Sequence, residues 1–224
     1  MRILINDSRS FQRMISAYQA VARAVLHCLH DEGSQISAIV LHEFDDDHSF
    51  HPICEIRLRP NSGLRFPDLW AYFVDAVPFS EDLILHSCRF ISSCLIGAAA
   101  EERLSREIGI NREMGWLDTL LERTTFLKPV LFEQKWHPSQ VQSDIDKAFV
   151  TARCFLGEHD DGFALDHIDF CAAEVDRVVG DEPVWQLITE VAEELGEQQT
   201  ISGDVVLKKS ADLTFDPRFG PWNE

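Results

Sequence analysis

Cations are scarce in this chain of 224 residues: 20 Lys and Arg stand against 38 Asp and Glu, a formal charge of −18. Affinity for nucleic acid rests on Lys and Arg neutralising phosphates, so the deficit argues against direct nucleic-acid binding. Anionic membrane surfaces are disfavoured by the same sign argument. Long apolar runs are also missing. The most apolar stretch, 83–100, is broken by His86, Ser87, Arg89, Ser92 and Ser93. That is too polar for a spanning helix of about 20 apolar residues, and it reads as a buried core helix. The run 1–5 is shorter than the apolar core of a secretory signal. No Gly-x-Ser-x-Gly elbow, Walker-type loop, Gly-x-Gly-x-x-Gly or Cys-x-x-Cys occurs, which removes the common routes to acyl transfer and nucleotide binding. The chain leans away from an enzyme, and nothing calls for a cofactor.

What is present is the composition of a folded soluble protein, 45% hydrophobic and 26% charged. Six cysteines, Cys28, Cys54, Cys88, Cys94, Cys154 and Cys171, stand mostly among apolar neighbours. Cys88 and Cys94 share one expected helix, where a rise of about 1.5 Å per residue separates them beyond disulfide reach. Reduced, buried thiols in a cytoplasmic protein follow, with metal-binding cysteine a poor second.

Apolar spacing of three and four predicts a first helix from Asp7 or Ser8 to a stop at Gly33. Two strands of alternating pattern follow, with the polar segment 45–52 as their hairpin connection. The rest reads as helices: 80–108, one around Trp116 to Leu121, one from Pro138 to Gly157, then 165–179 and 183–195. Gly180 and Gly196 are the expected stops of the last two, and a late strand is expected over 200–209. The expected class is α+β, a small N-terminal sheet with a β-hairpin followed by a predominantly helical body. Residues 1–209 read as one domain with a possible sub-boundary near 110, and 210–224 as an extended arm.

The acids are unevenly placed. Thirteen of them fall within 158–197, where Arg177 is the one Lys or Arg, so 12 of the 18 net negative charges lie there. A segregated charge of one sign steers partners of the other. Apolar stripes leave Asp169, Glu174, Asp176, Glu190, Glu193, Glu194 and Glu197 outward and nearly uncompensated, as a surface for a basic protein partner. The resulting expectation is an acidic interaction or inhibitor protein of the toxin-neutralising or nuclease-blocking kind, its oligomeric state open. The alternative is a metal-dependent hydrolase. Its ligands would come from the hairpin residues His42, Asp45, Asp47, His48 and His51, whose nitrogens and carboxylates suit Zn, Mn or Fe, or from the segment Glu158 to Asp169. A structural subunit of a larger assembly is the third class. His27 and His30, one turn apart, read as cations at the negative end of the first helix.

Overall fold

The computed structural model describes residues 8–30, 33–45, 50–60, 81–110, 113–123, 141, 143–156 and 161–215. The first helix, α1 (Ser8–Leu29), turns Ala17, Val21, Ala24, Val25 and Cys28 into the core. It ends at Leu29, ahead of Gly33, which opens a short 3-10 turn. Gly33 lies where a Cβ would come within 2.4 Å of Cys28 Sγ, so its role is close approach rather than the helix stop. Strands β1 (Ile36–Asp45) and β2 (Phe50–Leu58) form the expected antiparallel hairpin, with His42 opposite Ile53 and Val40 opposite Glu55.

Helix α2 (Glu81–Glu107) is the buried core helix, and Gly109 follows it with φ +86°. From Ile91 to Ala100 nearly every side chain is buried, because α1, α4 (Asp144–Leu156) and α5 (Asp161–Gly180) all pack on it. The short α3 (Trp116–Arg123) also rests on α2. Arg23 of α1 ties three helices together: its Nε donates to Ser93 O at 2.8 Å, and its guanidinium pairs with Asp144.

Helix α6 (Glu182–Gln198) begins on Asp181, whose carboxylate accepts from Val184 N, and has Pro183 in its first turn. It runs past Gly196, and Gln199 takes the left-handed conformation (φ 60°) that closes it. The late strand is shorter than expected. Only β3 (Thr200–Ser202) joins the sheet, on the free edge of β1, giving the antiparallel order β2-β1-β3. Residues 203–210 are instead helix α7 (Gly203–Ser210). Ser202 caps it by accepting from Asp204 N, and Lys208 and Lys209 meet the negative end of its dipole. No described helix is long and apolar enough to cross a membrane. The expected structure of 1–5 and of 216–224, and the expected loop 46–49, lie outside the described residues.

Candidate functional site

Of the hairpin set, His42 is the one member whose side chain is among the described residues. His42 Nε2 stands 3.0 Å from Glu55 Oε2, and Arg57 Nε is 3.0 Å from the same oxygen. His42 is thus engaged in a cross-strand hydrogen-bond network with Glu55. Asp47 and His48, and the side chains of Asp45 and His51, lie outside the described residues. At the end of α1 the expected cation is overturned for His30. It is 2% exposed, and burial, together with Arg89 and His27, pushes its pKa down to about 2. His30 is a neutral core imidazole.

The acids of α5 and α6 divide into two groups. Glu174 is 6% exposed, so it is not part of an outward face. It accepts two bonds from Arg177, at 2.9 and 2.8 Å, and the Arg177 guanidinium lies 4.4 Å over the Phe215 ring. Nor is the α6 face uncompensated, because cations arrive from distant segments. Lys209 of α7 pairs with Glu190 and Glu194, and Arg103 of α2 pairs with Glu182 at 2.7 Å. Glu193 is half-buried at a shallow groove of about 410 Å³ between α1 and α6, lined by Arg13, Met14, Tyr18 and Glu197. Among the described side chains of α5 the exposed acids are Asp166, Asp169 and Asp176, which share one helical face with Ala173. Asp176 accepts from Trp116 Nε1 at 2.8 Å and so fixes α3 on α5. Among the described residues no cation pairs with Asp166 or Asp169.

A second constellation lies on the inner side of the same helix. Cys88 of α2 meets His167 and Cys171 of α5, and one ligand-type atom from each lies within 4.8 Å of the others. Cys88 Sγ is 3.8 Å from His167 Nε2. Both sulfurs are in the core, Cys88 3% and Cys171 0% exposed, while His167 is half-buried with its ring stacked on Phe170. His167 and Cys171 are four residues apart, so they leave α5 on one side, one turn above the other. Described thiols elsewhere in the chain are held protonated by burial, Cys54 and Cys94 both pushed up to about 12. Cys88 goes the other way, down to about 5, because the Cys171 thiol donates to it and outweighs burial, with His167 adding to the effect. Cys171 is correspondingly held well above its ordinary value, by that bond and by burial.

Cys88 and Cys171 were among the thiols expected to be buried, and the described cysteines are indeed free. Their convergence with His167 goes beyond the sequence reading, in which His167 lies within the segment Glu158 to Asp169 and is not joined to any cysteine. The His167-x-x-x-Cys171 spacing was the one available signal, and the third member comes from a helix 79 residues away. The chain matches no protein-family model, and no curated protein matches it.

Proposed function

We propose that this protein is an interaction or inhibitor protein that binds a basic protein partner through an acidic helical face, in a toxin-neutralising or nuclease-blocking role. The observation that carries this reading is the solvent stripe of α5. Asp166 and Asp169 are exposed three residues apart, with no paired cation among the described residues. Like charges so spaced on a helix cost a few tenths of a kcal/mol, so the stripe does not serve the stability of α5. Carboxylates held on a rigid helix can occupy a cationic cleft shaped for phosphates, and their field speeds encounter with it. The α6 acids Glu190 and Glu194 contribute less, since Lys209 already answers them. A cytoplasmic location accords with free thiols.

The test is capture from cell extract by the whole chain, by a D166N/D169N variant and by an E190Q/E194Q variant, at low and physiological salt. Enrichment of a basic protein that is lost with the first pair and kept with the second supports the reading. Capture of the same proteins by all three chains contradicts it.

A further inference from the structure

The core between α2 and α5 holds a donor set that the interaction surface does not use. On α2, Cys88 and Ser92 are four residues apart; on α5, His167 and Cys171 are four residues apart. Each pair leaves its helix on one side, and the two helices pack on one another. Four donor side chains therefore meet at one level of the interface, two from each helix. The Ser92 hydroxyl is fully buried beside the Cys171 sulfur and has no hydrogen bond of regular geometry.

We propose that Cys88, His167 and Cys171 form a zinc(II) site, with Ser92 beside the fourth coordination position. The dimensions suit the ion. Zn–S bonds of about 2.3 Å and Zn–N bonds of about 2.0–2.1 Å give tetrahedral edges of roughly 3.5–3.8 Å between donors. The Cys88–His167 separation of 3.8 Å already matches that edge, and all three donor atoms fall within 4.8 Å. Small side-chain rotations close the triangle around an ion.

The donor types choose the metal. Two thiolates and an imidazole form a borderline-soft set that suits zinc and rejects magnesium and calcium, which demand oxygen. Charge also balances, because one dication and two thiolates sum to zero in a buried place where a net charge would be expensive. Binding forms two Zn–S bonds and one Zn–N bond, and each S–H bond still present on the two cysteines breaks with its proton released to solvent. No electron is transferred. His167 lies at the solvent edge of the cluster, and the fourth position faces the buried Ser92 hydroxyl. Zinc at this point joins α2 to α5 through the middle of the core, and it stabilises the folded chain by mass action.

The experiment uses the full chain, purified under reducing conditions, with Zn²⁺ alone as the probe. Elemental analysis and competition with a chromophoric chelator give stoichiometry and affinity. Cobalt(II) substitution adds a readout of geometry, thiolate charge-transfer absorption together with the intense visible bands of a tetrahedral ion. The expected result is one zinc per chain. Affinity should fall by more than about 100-fold in Cys171→Ser and His167→Gln, and by about tenfold in Ser92→Ala, in line with the cost of losing an outer partner. Cys94→Ser should leave binding intact. Should the ligand variants fail to fold, mapping thiol alkylation in the unaltered protein keeps the test alive, since zinc must protect Cys88 and Cys171 and leave the rates at Cys28 and Cys54 unchanged. Absence of bound zinc in the reduced protein would overturn the site. So would equal affinity in Cys171→Ser, or a Cys88–Cys171 disulfide that persists when the protein is prepared with zinc and reductant.

Discussion

His30 shows how burial reassigns a single side chain. In the sequence it sits where a cation would complement the end of α1, yet burial strips it of water, and Arg89 and His27 add positive charge beside it. Its folded pKa, about 2, lies below the ordinary 6.5. A depressed folded value means that the unfolded chain binds the proton more readily. The contribution is therefore fully present above pH 6.5 and drains away as pH falls from there toward 2. Wild-type stability should drop by about 1.3 kcal/mol more than that of His30→Leu between pH 7 and 5.5. Urea unfolding of both chains at the two pH values checks this, and equal drops would show that His30 is solvated. Glu174 teaches the same lesson for the acids. Counted by sequence it belongs to a charged face, but its carboxylate is in the core against Arg177.

At the scale of elements, the junction of β3 and α7 is the tightest point of the sheet edge. A Cβ on Gly203 would stand 2.2 Å from Ile36 O and 2.7 Å from Ile36 C, both backbone atoms that cannot rotate away. Gly203→Ala should cost about 3 kcal/mol by overpacking. Gly180→Ala, with nothing within 4 Å of its Cβ, should be neutral or stabilising by up to about 1 kcal/mol. Denaturant midpoints of the two variants decide it; a Gly203→Ala chain as stable as wild type would mean that α7 is free to move off β1. The hairpin, the buried α2 and the paired helices α5 and α6 were legible because their apolar periods are long and unambiguous. The segment 200–210 misled because Val205, Val206 and Leu207 favour either state, and the Ser202 cap and the lysines at the far end decided for helix. Gly196 misled because a glycine inside a helix is a cost, not a command to stop. The site was less legible than the fold. Spacing along α5 hinted at His167 with Cys171, but only tertiary packing brings Cys88 to them, and likewise Lys209 to Glu190.

For the whole molecule, a charge of −18 on one chain sets a self-repulsion that folding concentrates. The ion pairs that answer it are largely at the surface, Arg57–Glu55 and Arg59–Asp204 among them, and such pairs contribute little each. Screening should therefore help the fold more than it harms the pairs. Raising NaCl from 10 mM to 150 mM shortens the Debye length from about 30 to about 8 Å. The melting temperature should rise by about 2–4 °C, equivalent to roughly 1 kcal/mol for a chain of this size. A fall in thermal scans would mean that the cross-element pairs carry the stability instead. The same unscreened field is what the interaction reading depends on, and it is most open at Asp166 and Asp169. The direct measurement is the association rate constant with the captured basic partner, followed against NaCl concentration for wild type, D166N/D169N and E190Q/E194Q. Steering by the α5 stripe predicts a steep fall with salt for wild type and E190Q/E194Q, and a slower, flatter profile for D166N/D169N with little change in dissociation rate. Parallel salt profiles for wild type and D166N/D169N would contradict the account.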